Sequence, residues 1–297
     1  MTQPSPSSGP DKPPSGHQSG QPLAGTRVLV TRSPERATAL VDALERAGAS
    51  TVLLPLIDFE RAPDQHALDV NCDALAAGAF DWLVVSSATT VHVLLEKAAD
   101  RGLGLDALIP AGTRIAAIGP ATRRLLESGG LTVALVPAAE QSAAGLLDAW
   151  PGGGRILLPQ ADIAAPTLAD GLRAAGGDVT TVTAYCTVDY PAAAERRLAV
   201  QPQDGGTARQ PPSYSLLTPE AAAADMAAGR IDAAIAASPS AVRRLSALTP
   251  GPACRLVVIG RSTADQAAAL GLDVAAVADQ PTPEGLVAAV AKALNPP

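Results

Sequence analysis

At 297 residues the chain can hold one large domain or two of ordinary size. Hydrophobic residues make up 47% and charged residues 17%, a globular balance, while aromatics at 2% leave Ala, Val, Leu and Ile to build the cores. A formal net charge of −7 argues against a nucleic-acid-binding face, and no apolar run reaches the roughly 18 residues of a membrane helix.

Residues 1–24 are rich in Pro, Ser and Gly and are expected to form a disordered tail, because so little apolar surface cannot offset chain entropy. The tail lacks the apolar stretch of a signal peptide, so a cytoplasmic protein is expected. TRVLVTR (26–32) reads as a strand. A helix follows, with Ser33 as N-cap, Pro34 at its first position, and Leu40, Val41, Leu44 and Ala47 at helical spacing. Gly48 ends that helix, and STVLLPLIDFE (50–60) reads as the next strand. This is a βαβ unit, which implies a parallel sheet covered by helices.

The same grammar continues through DWLVVSS (81–87), RIAAIG (114–119), TVALVP (132–137), RILLPQ (155–160) and VTTVTAYCTVDY (179–190). It resumes with GRIDAAIAASPS (229–240), RLVVIG (255–260) and DVAAVA (273–278). About ten strands suit two sheets better than one. Between them, 201–215 is Gly-, Pro- and Gln-rich and reads as a flexible insertion.

Internal repeats bear on how the strands are shared. The stretch 27–59 resembles 155–187, 80–95 resembles 231–246, and IAAIGPATRRLLESGG (115–130) returns as LVVIGRSTADQAAALG (256–271). The order allows either two sequential halves dividing near residue 150 or two interleaved domains. Repeat order does not choose between them.

Ligands of doubly wound sheets bind beyond the carboxyl ends of the strands, where first-turn N–H groups suit carboxylates or phosphates. Small polar residues recur there: Thr31, Arg32 and Ser33; Ser86 and Ser87; Gly119 to Thr122; Ser238, Pro239 and Ser240; and Gly260 to Thr263, including Arg261. Two such edges facing one another would bind an oligo-anionic ligand. Taken singly, each hydroxyl reads most simply as a helix cap. Arg32 and Arg261 fall at strand ends, whereas Arg123, Arg124, Arg243 and Arg244 sit within helices and read as solvated. Neither Gly-rich segment is a dinucleotide or P-loop motif. Cys72, Cys186 and Cys254 have no paired spacing, and His17, His66 and His92 fall in the tail, a loop and a helix, so no metal site is expected. Tyr185, one of three tyrosines, ends a strand beside a crossing and could donate a proton.

Together these segments resemble the uroporphyrinogen-III synthase family. The likeness is carried in order from about residue 26 to 294 by VLVTRSPERATALVDALERAGA, FDWLVVSSATTV, IAAIGPATRRLLESGG, VTTVTAYCTV, IDAAIAASPSAV, LVVIGRSTADQAAALG and DQPTPEGLVAAV. The resemblance implies two interleaved flavodoxin-like parallel-sheet domains, a two-stranded connector and an active-site cleft between the domains. Domain I would then be 25–58 with 191–297, and domain II 59–190, with crossings near 55–60 and 184–190. It implies a cofactor-independent lyase acting on hydroxymethylbilane, a linear tetrapyrrole with eight carboxylates, to give uroporphyrinogen III with loss of water and inversion of the last ring.

The resemblance assigns catalysis to Tyr185 and Thr122, sets Ser238 at the cleft, and leaves backbone amides near Ser87, Gly119, Ser240 and Thr263 to hold carboxylates. Gln160-Ala161-Asp162 departs from the family, many of whose members carry a basic residue there, so no carboxylate contact is expected from that loop. A monomer is expected, with no nucleic acid or membrane partner and with the hydroxymethylbilane-producing enzyme as a further partner. The competing expectation is a non-catalytic two-lobed binding protein for a small acidic ligand.

Overall fold

The computed structural model describes residues 21–138, 140–198, 214–251 and 253–295. The expected disordered tail as far as residue 20, and residues 201–213 of the expected insertion, lie outside the described residues.

The chain opens with β1 (Arg27–Val30), α1 (Pro34–Arg46), β2 (Ser50–Leu53), β3 (Ile57–Arg61) and α2 (Gln65–Ala76). It continues with β4 (Trp82–Val85), α3 (Ala88–Asp100), α4 (Leu105–Leu108), β5 (Arg114–Ala117), α5 (Pro120–Ser128) and α6 (Ala143–Asp148). Next come β6 (Arg155–Ala161), α7 (Thr167–Ala174), the long β7 (Asp178–Asp189), β8 (Ser215–Leu216) and α8 (Pro219–Ala227). The last elements are β9 (Ala233–Ala236), α9 (Pro239–Ser246), β10 (Arg255–Val258), α10 (Arg261–Ala269), β11 (Val274–Val277) and α11 (Pro283–Leu294).

Two sheets result, ordered β11-β10-β9-β1-β2-β8 and β3-β7-β6-β4-β5. Every pairing is parallel except that of β3 with β7. Each sheet is covered on both faces, so its inner strands are apolar throughout rather than alternating. In β4, Leu83 and Val85 enter one core while Trp82 and Val84 enter the core on the opposite face. In β1, Val28 and Val30 divide from Leu29 in the same way. The cores are mostly Ala, Val, Leu and Ile, and the one Trp–Trp contact, Trp82 with Trp150, sets ring centroids 4.7 Å apart.

The repeat has a backbone cause as well as an apolar one. Ser142 caps α6 by accepting from Gly145 N, and Thr282 caps α11 by accepting from Gly285 N, both at 3.1 Å. A Cβ on Gly145 would lie 2.0 Å from the Glu140 carbonyl oxygen, and one on Gly285 2.2 Å from that of Gln280. The loop therefore closes over the first helical turn only where no side chain stands.

Four local expectations need correction. The strand expected over 50–60 is two strands in different sheets, because Pro55 brings no N–H and the chain leaves β1 after Leu54 N donates to Val30 O at 2.9 Å. The strand expected over 132–137 is reduced to a bridge from Leu135 to Ala116, its residues alternating half-buried and exposed along an open sheet edge. His66 lies in the first turn of α2 rather than in a loop, since Asp64 caps that helix through Ala67 N at 2.8 Å. The short β8 was not anticipated; its two residues only extend the edge beside β2.

Asp81 joins the starts of β4 and β6, accepting from Arg155 N at 2.8 Å and from its guanidinium at 3.0 Å. The Arg155 side chain and backbone hold this carboxyl at about 2, below its ordinary value. A depressed folded-state value means that the stabilisation is present above the unfolded value, about 3.9, and is lost as pH falls through the folded one. Asp81→Asn is therefore expected to flatten the loss of stability between about pH 4 and 2, read as urea midpoints across that range.

Candidate active site

The β3–β7 pairing builds the floor of a cavity. Register places Phe59 opposite Thr187 and Arg61 opposite Tyr185. The buried Tyr185 ring meets the edge of Phe59 at 5.3 Å between centroids and 76° between planes. Its hydroxyl lies 3.1 Å from Ser87 Oγ, which also accepts from Thr90 N at 3.1 Å as the cap of α3. The phenol is thus oriented by the end of a helix through the same Ser87 hydroxyl that engages the Thr90 N–H. Burial pushes the Tyr185 phenol upward from its ordinary value, while Ser87, Thr89 and the Arg36 cation pull the other way. It stays protonated at neutral pH and able to donate.

The opposite wall comes from the ends of β9 and β10. Ser238 caps α9 through Ala241 N at 3.1 Å, with Pro239 at the first helical position. One turn on, Arg243 donates to Ser240 Oγ at 3.2 Å and to Gln266 Oε1 of α10 at 2.9 Å. These walls enclose about 710 Å³, lined by Phe59, Ser87, Thr89, Tyr185 and Thr187 on one side and by Ser238, Pro239, Ser240, Arg243, Ser262, Asp265 and Gln266 on the other. That volume suits a mid-sized organic ligand. Among the described residues Arg243 is bonded only to neutral groups, so its charge is available to an anion.

The model of the family described as uroporphyrinogen-III synthase HemD matches residues 38–288. The chain belongs to the uroporphyrinogen-III synthase family. It is 30% identical over 162 residues to a putative uroporphyrinogen-III synthase of Methanothermobacter thermautotrophicus, covering 53% of this chain and 61% of that one. It is 30% identical over 117 residues to a porphyrin biosynthesis protein HemD of Ruminiclostridium josui, covering 39% of this chain and 22% of that one. The chain thus spans less than two thirds of the length of these curated relatives. A mutant uroporphyrinogen III synthase of Thermus thermophilus has the same fold, with TM-score 0.63 and 22% identity over 91% of this chain and 98% of that one.

Of the residues expected at the family's site, Ser87, Tyr185, Ser238, Pro239 and Ser240 meet at the cavity. Others do not line it. The Thr31 hydroxyl is buried and donates to Ile235 O at 2.9 Å, tying β1 to β9. Thr122 and Thr263 are buried third residues of α5 and α10, following the backbone caps Gly119 and Gly260. Ser86 is half-buried after β4, Arg261 is exposed, and Arg32 is half-buried with burial lowering its pKa. Asp162 accepts from Thr187 N at 2.9 Å, so that loop braces β7.

Arg243 and Arg244 are not merely solvated, as their helical position suggested. Arg243 faces the cavity and Arg244 pairs with Asp189 at the end of β7. The three-residue step from Ser240 puts Arg243 on the same helix face, a signal available in the sequence. Phe59 and Gln266 carried no such signal, because each reaches the cavity through a neighbouring element. Ser87→Ala is expected to cost about 1 kcal/mol of stability by loss of the α3 cap, measured by denaturant unfolding, and to move the ionisation of Tyr185 to higher pH in a spectrophotometric titration.

Proposed function

We propose that the chain is a uroporphyrinogen-III synthase, a cofactor-independent lyase that closes hydroxymethylbilane with loss of water and inversion of the last ring. The observation that carries this reading is a buried, oriented, protonated phenol facing a cavity with polar walls, in a chain of this family. The chain is read as two lobes, residues 25–58 with 191–297 and residues 59–190, with the substrate between them.

The chemistry asks little beyond a proton donor and a fixed conformation. The C–O bond of the terminal hydroxymethyl group breaks with its electron pair on oxygen, and the Tyr185 proton completes the departing water. The ring left behind is strongly electrophilic and is attacked by the substituted α-carbon of the last pyrrole, forming the spiro intermediate. The older bond from that carbon to its methylene bridge then breaks, and the second electrophilic ring so formed is attacked by the free α-carbon of the inverted pyrrole. The proton displaced at final ring closure restores the phenol. Arg243 and the first-turn N–H of Ser240 in α9 hold substrate carboxylates, with the Ser238 and Ser240 hydroxyls beside them. Thr122 and the amides near Gly119, Gly260 and Thr263, at the ends of β5 and β10, are the further carboxylate contacts that this reading assigns. The upstream hydroxymethylbilane-producing enzyme supplies the substrate.

The test is a coupled assay. Hydroxymethylbilane is generated in situ, the protein is added, and the oxidised porphyrin isomers are separated. Isomer III is expected, since uncatalysed closure yields isomer I. Isomer I alone, from folded protein, overturns the proposal in favour of a two-lobed binding protein. Tyr185→Phe is expected to lower turnover several-fold or more without changing the unfolding midpoint appreciably; unchanged turnover removes Tyr185 from the mechanism.

A further inference from the structure

A second cationic nook adjoins Tyr185 through the Phe59 ring. Arg36, in the first turn of α1, lays its guanidinium 4.0 Å over the Phe59 ring, the ring whose other contact is the Tyr185 edge. Arg32 stands at the end of β1, and among the described residues neither guanidinium has a hydrogen-bond or ion-pair partner. His92 of α3 brings a buried Nε2 that also lacks a partner.

The carboxylates near enough to neutralise Arg36 are committed elsewhere. Asp58 accepts from Phe59 N at 2.9 Å, from Ala192 N at 3.1 Å and from Arg197 Nε at 2.9 Å. Glu35 pairs with Arg197 at 3.2 Å. Burial lowers Arg36 to about 10, and its charge helps to lower His92. Arg36 is still a cation at neutral pH. Two desolvated guanidinium groups without a counter-ion are costly to maintain, and a bound anion would relieve that cost. Stacking on Phe59 occupies the face of the Arg36 guanidinium and leaves its edge N–H groups free, the geometry for a bidentate carboxylate.

We propose that Arg36, with Arg32 and His92 around it, receives one carboxylate of the substrate and is thereby a positioning residue that sets a ring against Tyr185. The inference rests on the proposed function for the identity of the substrate, though not for the existence of an anion site. Arg36 stands on the Phe59 ring and Arg243 on α9, so the two cations take different carboxylates of one ligand.

Arg36→Gln and Arg36→Lys test it, compared with the unaltered protein for unfolding midpoint, KM, kcat, isomer ratio and the affinity for uroporphyrin III by absorbance titration. Arg36→Gln is expected to raise KM and weaken porphyrin binding roughly ten- to hundredfold, with a smaller effect on kcat, a larger share of isomer I and a retained midpoint. Arg36→Lys is expected to recover part of the affinity, and added salt to weaken the unaltered protein more than the Gln variant. Unchanged KM and porphyrin affinity in a folded Arg36→Gln protein overturn the inference. So do equal losses in both variants confined to kcat and the midpoint, which assign Arg36 to packing on Phe59. Porphyrin binding that falls in Arg36→Gln while the unaltered protein makes only isomer I sustains the anion site and sinks the synthase reading instead.

Discussion

The antiparallel pairing of β3 with the last part of β7 is the constraint on which the rest depends. Ile57 lies opposite Asp189 and Arg61 opposite Tyr185, while the earlier part of β7 runs parallel to β6. One strand therefore serves both a doubly wound sheet and the crossing that leaves it. Alternation along β3 gives each face its own work. Phe59 turns to the cavity and to Tyr185, whereas Asp58 and Glu60 turn to the returning chain. Asp58 accepts from Ala192 N and Arg197, and Glu60 from Ala193 N at 2.8 Å and Arg196 Nε at 2.8 Å. The Arg196 side chain and the Ala193 N–H hold the Glu60 carboxyl below its ordinary value, consistent with a clamp made by a carboxylate.

What surrounds that crossing is built from small side chains. With few aromatics, the sheets are held by Leu, Val, Ile and Ala interdigitating on both faces, where each buried methylene contributes about 0.8 kcal/mol. The chain nevertheless spends Phe59 and Tyr185 at the cavity, where a rigid ring orients a hydroxyl at little entropic cost. Helix caps then carry a second duty. Ser87 and Ser238 satisfy the first turns of α3 and α9 and in doing so bring hydroxyls to facing walls.

A net charge of −7 sits uneasily with the proposed anionic substrate until the charges are placed. Several acidic groups are bound to arginines away from the cavity, such as Asp69 by Lys97 and Arg101, and Asp225 by Arg27 and Arg230. Exposed charges at a distance are screened within roughly 10 Å. Arg36 and Arg243, by contrast, meet aromatic or neutral partners among the described residues. The cavity wall therefore sets the Arg243 cation beside the Asp265 carboxylate, a local balance unlike that of the whole chain.

The sequence by itself determined the alternation of strand and helix, the internal repeat, the Ser and Thr caps and the prominence of Tyr185. These follow from local rules, because apolar period, cap chemistry and the glycines at Gly145 and Gly285 act within a few residues of one another. Only the tertiary structure decided that 50–60 splits at Pro55 between two sheets, that the Thr31 hydroxyl bonds Ile235 O, that Arg243 lines the cavity, and that Arg36 lies over the Phe59 ring. An apolar period reports that a residue is buried and not what it is buried against. Likewise a helical arginine reads as solvated until a partner surface, here Gln266 or the Phe59 ring, is brought to it from a distant part of the chain.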